Sequence, residues 1–208
     1  MGQFEFLEKP FGGFKEGEVE KFQDKCLEIA TTLFNEYGIK CGEKIFRFAE
    51  IEFYYYEKGK WEEDWNKVTY ARDGYNGGDL FFHLSGVDIC FDSFCKDGQG
   101  KFGGILVRSI VDKDNKLVVG PWNTMLCILN ESKGSLMPCL KRFDEKDSRQ
   151  ISPKATYRFL GEKDFEQISN QANKDGDIKL AFYDTKIEKE FWDKVRPSYF
   201  NSRFNINN

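Results

Sequence analysis

KIFRFAEIEFYYYE, residues 44–57, decides the fold. It is rich in aromatic and β-branched residues and runs into a charged stretch closed by Gly59, which reads as one long strand. Strict alternation puts Ala49, Ile51, Phe53 and Tyr55 on one face, the expected core face. Glu50, Glu52, Tyr54 and Tyr56 take the other. That second face has two readings. It is a half-exposed strand with its carboxylates in water, or it is the floor of a cleft. In the cleft reading a general base sits beside a ring able to stack on a flat ligand. A carboxylate among aromatics tends to bind its proton more tightly, which suits acid–base work.

The neighbouring segments frame this strand. Residues 18–37 carry Val19, Phe22, Cys26, Ile29, Ala30, Leu33 and Phe34 at helical spacing, and Gly38 stops the run. On the other side, 57–78 is a polar, Gly-closed connection, and loops of that length are often functional. Two short strands follow, near 79–84 and 87–92, with Ser85-Gly86 as a kink or bulge between them. KDGQGKFGG reads as a turn, and Gly77-Gly78 and Gly103-Gly104 as turns between strands. GILVRSIVD, 104–112, is apolar almost throughout, so it is expected to be central and covered on both faces. LVV continues as a strand, and GPWNTMLCIL opens a helix with Pro121 in its first turn. The segment 134–155 reads as irregular. TYRFLG and IKLAFYD read as strands, with a short helix near 163–172 between them and a terminal helix near 186–195. The tail, 192–208, interleaves basic residues with Tyr199, Phe200 and Phe204, and its rings are expected to dock on the core. No repeat or compositional break divides the chain, so 1–208 is expected to be one α+β domain.

Composition narrows the function. Hydrophobic residues make up 40% and charged residues 32% of the 208, the balance of a folded chain rather than a disordered one. Aromatics at 16%, with 21 Phe, favour a core or cleft built from flat rings. A net charge of -4 and a pI of about 5.3 run against unspecific duplex binding, though a local basic face remains compatible with them. No apolar run reaches the length of a membrane span. The start lacks a signal-peptide layout, and Phe6 stands where a myristoylation motif wants Ser or Thr. The expectation is therefore a cytoplasmic protein with no membrane association. Cys26, Cys41, Cys90, Cys95, Cys127 and Cys139 form no CxxC pair, and His83 is the single histidine, so neither a zinc site nor another cofactor is expected. Six thiols are expected, mostly buried as small hydrophobes.

Arg108 is the only charge between Lys101 and Asp112. An unpaired buried charge is expensive, so Arg108 needs a partner. Glu52, Asp88 and Asp92 are the candidates for a structural pair. The functional alternative is a donor aimed at a phosphate, a carboxylate or a base edge. His83, Asp88 and Asp92 do not make a hydrolase triad, because no G-x-S-x-G elbow occurs and Ser85 follows His83 by only two residues. His83 reads as a hydrogen-bonded wall residue. No phosphate-binding loop or dinucleotide fingerprint is present.

In order, the chain shows Glu50-Ile-Glu-Phe-Tyr54, a polar loop, Leu80-Phe-Phe-His-Leu-Ser-Gly-Val-Asp-Ile-Cys-Phe-Asp92, Gly104-Ile-Leu-Val-Arg-Ser109 and Gly120-Pro-Trp-Asn-Thr-Met-Leu-Cys-Ile-Leu129. This order and spacing resemble the alkyladenine (3-methyladenine) DNA glycosylase family over roughly residues 45–130. The resemblance implies a single domain with a curved, mixed, mainly antiparallel β-sheet surrounded by helices. It also implies excision of a modified purine or related base, flipped out of nucleic acid and attacked by water without a lysine intermediate. It assigns Glu52 to activating water, and Tyr54 and Phe82 to stacking the base. His83 stands beside Phe82, Asp92 falls where the family has a pocket asparagine, and Arg108 matches the pocket arginine. Ser85 stands where the family inserts a tyrosine wedge into DNA, and the loop 57–78 has no histidine where the family has one. The alternative function is a non-enzymatic module that uses the same pocket for a small aromatic ligand or a protein partner. One geometric expectation tests the resemblance: Glu52 and Arg108 should lie on neighbouring parts of one sheet and face a common cleft.

Overall fold

The computed structural model describes residues 4–11, 19–58, 73–96, 99–112, 114, 116–132, 137–159, 178–183 and 203–204. The expected helices near 163–172 and 186–195, most of the 57–78 connection and most of the tail lie outside the described residues. What is described is an α+β fold in which an antiparallel sheet curls into a half-barrel beside a few helices.

The strands are β1 (Tyr37–Cys41), β2 (Lys44–Glu57), β3 (Leu80–His83), β4 (Gly86–Cys90), β5 (Phe94–Lys96), β6 (Gln99–Val111), β7 (Leu117–Val119), β8 (Cys139–Arg142), β9 (Lys154–Phe159), β10 (Ile178–Tyr183) and β11 (Arg203–Phe204). The helices are α1 (Glu5–Glu8), α2 (Val19–Glu36) and α3 (Pro121–Ser132). The main strand order is β11-β9-β10-β2-β6-β4-β3, with β1 on β2, β8 on β1, and β5 and β7 on β6. Every described pairing is antiparallel, so the mixed sheet implied by the resemblance is not seen among these strands. In the tail, Arg203 and Phe204 extend the sheet by pairing with Arg158 and Tyr157 of β9.

The segment 134–155, read as irregular, contains β8, and two glycine readings also need correction. Gly38 does not merely end a helix: α2 stops at Glu36, and Tyr37 already begins β1, which turns into β2 through Gly42-Glu43. Gly42 has φ 59, a left-handed conformation that glycine adopts without strain in such a two-residue hairpin. Gly103-Gly104 is not a turn either, because β6 starts at Gln99 and runs through both glycines. A Cβ on Gly103 would sit 2.6 Å from the Tyr54 carbonyl oxygen, so glycine there lets β6 lie close on β2.

α2 buries Cys26, Ile29, Ala30, Leu33 and Phe34 against the sheet face that carries Phe46, Phe48, Ile51, Phe53 and Tyr55. Phe11 closes one end of this core. Its ring centroid lies 4.5 Å from Phe22, 4.8 Å from Tyr55 and 5.3 Å from Phe91, the last two edge-on. The core residues of β2 change parity, from even numbers up to Phe48 to odd numbers from Ile51. Two β-bulges cause this. Phe48 pairs Ile110, Glu50 pairs Ser109, and Ile51 pairs Val107. Ala49 is therefore the extra residue on β2 and Arg108 the extra residue on β6. The simple alternation read from the sequence holds only from Glu50 onward.

Candidate functional site

The face of the sheet opposite α2 is not a solvated surface. Glu50, Glu52, Tyr54 and Tyr56 are all buried, so β2 is covered on both sides. Neighbouring strands put Leu106 across from Glu52, and Asp88 across from Leu106, in one row over β2, β6 and β4. The bulged Arg108 joins this row from β6. Bulges re-aim side chains, and this one brings a guanidinium between two carboxylates on one strand. Arg108 donates from Nε to Glu50 Oε1 at 3.2 Å and from Nη1 to Glu52 Oε2 at 3.0 Å. Ser109 donates its hydroxyl to Glu50 Oε2 at 3.2 Å. The Arg108 side chain is 7% exposed, Glu52 7% and Glu50 0%, which places the trio among the costly buried ions that demand partners. Burial alone would pull the Arg108 pKa down, but Glu52 and then Glu50 outweigh it and hold it above the usual value. α3 closes this region: Thr124 donates to the Arg108 carbonyl oxygen at 3.2 Å, and Pro121 lies against Gly86 beside Leu106.

A second polar group lies on the same face. The Tyr54 hydroxyl donates to Asp88 Oδ2 across β6. The residue opposite Tyr54 on β6 is Gly104, so no side chain at that position blocks the ring from reaching β4. The other Asp88 oxygen, Oδ1, stands 3.2 Å from His83 Nε2. Ser85 donates its backbone N–H to His83 Nδ1 at 3.2 Å. An imidazole that accepts at Nδ1 carries its proton on Nε2 when neutral, pointing at Asp88. His83 stacks on Phe81, with ring centroids 5.5 Å apart and an interplanar angle of 23°.

The expected site residues thus divide. Glu52 and Arg108 lie on adjoining strands and meet directly; Tyr54 and His83 share their face, with Asp88 between them. Phe82 does not join them, because it pairs Val87 and packs on the hydrophobic core on the other side of the sheet. Phe81 is the β3 ring on the polar face. Asp92 does not join them either: it follows β4 and accepts the Gly77 backbone N–H at 2.8 Å, which fixes the turn before β3. Two polar members escaped the sequence reading as site residues, Glu50 and Asp88. Their signal was present in the alternation, which already put Glu50 beside Glu52, and in the pairing of two short strands, which brings Asp88 into the row. A third residue, Leu84, stands 87% exposed at the tip of the β3–β4 hairpin, one residue before the expected wedge position Ser85.

Among the described residues no group of three or more His, Cys, Asp or Glu is placed to hold a metal ion, and no helix is long and apolar enough to cross a membrane. The five described cysteine side chains are free thiols. No family model, no curated protein and no solved structure matches this chain.

Proposed function

We propose that this chain is a monofunctional N-glycosylase that removes a modified purine or related base from nucleic acid. One observation carries the reading: Glu52, Tyr54 and Arg108, up to 56 positions apart, stand together on one face of two adjoining strands. In the reaction Glu52 takes a proton from water, and the water oxygen bonds to the sugar C1′. The C1′–N bond breaks, and its electron pair leaves with the base, which gains a proton. The sugar carbon becomes cation-like on the way, and a fixed negative field stabilises it. Two carboxylates facing one guanidinium leave such a field. Arg108 also fixes the Glu52 rotamer. Tyr54 stands two residues from Glu52 on the same face, and it is the ring that the resemblance assigns to the flipped base. Leu84 supplies at the hairpin tip the apolar side chain that Ser85 lacks, and leucine is among the residues that enter a base step.

The test is incubation with alkylated or deaminated DNA, double- and single-stranded, followed by detection of abasic sites. Release by the wild type and none by Glu52→Gln is the expected result. Release unchanged by Glu52→Gln sinks the assignment of the base.

A second reading has its own support. Glu52 is bound to Arg108 and almost fully covered, a poor position for a proton acceptor, and the chain is acidic. These favour a non-enzymatic module that recognises a small aromatic ligand or a protein. A salt titration of DNA binding separates the two: affinity that falls steeply with salt favours the glycosylase, and absent or salt-independent binding favours the module.

A further inference from the structure

We propose that Glu50 is the positioning residue of this site: it holds one edge of the Arg108 guanidinium, so that Glu52 shares the cation with a second carboxylate and keeps the proton affinity a base needs. The base role of Glu52 rests on the proposed function; the charge relation among the three residues does not. Glu50 is fully buried, and both of its oxygens are engaged. Oε1 accepts from Arg108 Nε at 3.2 Å, and Oε2 accepts the Ser109 hydroxyl at 3.2 Å. Glu52 Oε2 accepts from Arg108 Nη1 at 3.0 Å. A guanidinium beside a carboxylate favours its charged form and weakens its hold on a proton. A like charge on the same guanidinium does the opposite. All three side chains are buried, so water and salt screen neither effect strongly. Glu50 thus offsets part of the hold that Arg108 has on Glu52. Around Glu52, Leu106 stands across on β6, Glu50 and Tyr54 flank it on β2, and the β10 register sets Ala181 opposite it and Tyr183 opposite Glu50. Asp88 follows Leu106 in the row on β4, and His83 on β3 faces Asp88. Of these, Glu50 is the carboxylate that shares a guanidinium with Glu52. Glu50 acts on the reaction only through Arg108 and Glu52, and so it positions rather than catalyses.

The full-length chain labelled with ¹³C at the glutamate carboxyls tests this without any substrate. The Glu52 signal is the one lost in Glu52→Gln. Glu50→Gln removes the charge and keeps an acceptor for Arg108 Nε. Glu50→Leu removes both, and it carries the test if Glu50→Gln folds poorly. In each variant the Glu52 titration midpoint should fall by about one pH unit, because Arg108 then favours the charged form of Glu52 unopposed by Glu50. In base release the acidic limb of the kcat profile should move to lower pH by the same amount. The kcat plateau should fall roughly three- to tenfold as the base weakens, with KM within about twofold of the wild type. A Glu52 midpoint that stays or rises in these variants overturns the proposal. So does a shift present in Glu50→Leu and absent from Glu50→Gln, which would make the hydrogen bond responsible rather than the charge. Base release with an unmoved midpoint removes Glu50 and leaves the glycosylase reading standing. The expected shift in a protein that releases no base ends the glycosylase reading and leaves the Glu50 assignment standing.

Discussion

Arg108 reaches Glu52 from a bulge: its Nη1 lies 3.0 Å from Glu52 Oε2, and the same guanidinium also holds Glu50. The guanidinium compensates both β2 carboxylates at a depth where an uncompensated charge is costly. Removing one partner of a buried charge pair leaves the other unsolvated and costs about 3–5 kcal/mol, whereas replacing the whole group by apolar residues is often neutral. Arg108→Met should therefore lower stability by about that amount in urea denaturation. Adding Glu50→Leu and Glu52→Leu to Arg108→Met should recover most of the loss. A single Arg108→Met variant as stable as the wild type would mean that water reaches the carboxylates.

Alkaline pH should weaken the fold through Tyr55. Burial, then its hydrogen bond to Glu57 at 2.9 Å, push the phenol above its usual pKa. The folded state thus keeps a proton that the unfolded chain gives up near pH 10. Stability from this group is fully present below that pH and falls as pH rises above it, by at most about 1.4 kcal/mol per pH unit. Denaturation midpoints measured from pH 8 to 11 should fall less steeply above pH 10 in Tyr55→Phe than in the wild type. Parallel curves would show that Tyr55 ionises as easily folded as unfolded.

Much of the frame was legible in the sequence, and the reason differs by element. β2 was readable to its end residues because aromatic and β-branched residues dominate it and recur at alternating positions, and α3 because Pro121 marks its first turn. β1 was hidden because Gly38 after a helical run looks like a stop signal, although it lies in a strand packed tightly on Phe46. β8 was hidden because Cys139, Lys141 and Arg142 are exposed and only Leu140 is buried, so CLKR carries no recognisable pattern. The paired bulges could not be read at all. A bulge is a mismatch between two strands, and neither strand's own sequence records which residue is extra. The Arg108 ion pair was foreseeable from the cost of a buried charge, but Tyr54–Asp88–His83 spans β2 to β3 and depends on the whole strand order.

Asp92 separates the resemblance from the geometry. Its Oδ1 accepts the Gly77 N–H at 2.8 Å, away from the Glu52 group. Asp92→Ala should cost about 1–2 kcal/mol of stability through that lost bond and leave ligand affinity at the Tyr54 face within about twofold. A large affinity loss without a stability loss would return Asp92 to the binding site.

Leu84 tests the nucleic-acid reading at the least structural cost. It is 87% exposed, so it contributes little to the core, and Leu84→Ser should keep stability within about 0.5 kcal/mol of the wild type. Its neighbours fix its place: His83 is tied to the Ser85 N–H, and Gly86, with φ 155, turns the chain into β4 against Pro121. The hairpin tip is therefore held, and Leu84 is the large apolar side chain that projects from it. If the site extrudes a base from a duplex, an apolar side chain next to it must fill the vacated step or the base falls back. Leu84→Ser should then weaken duplex binding several-fold at fixed salt while sparing single-stranded substrate, from which no base needs to be extruded. Equal loss on both substrates would make Leu84 a general contact. No loss on either would remove the hairpin from the site and favour the binding module.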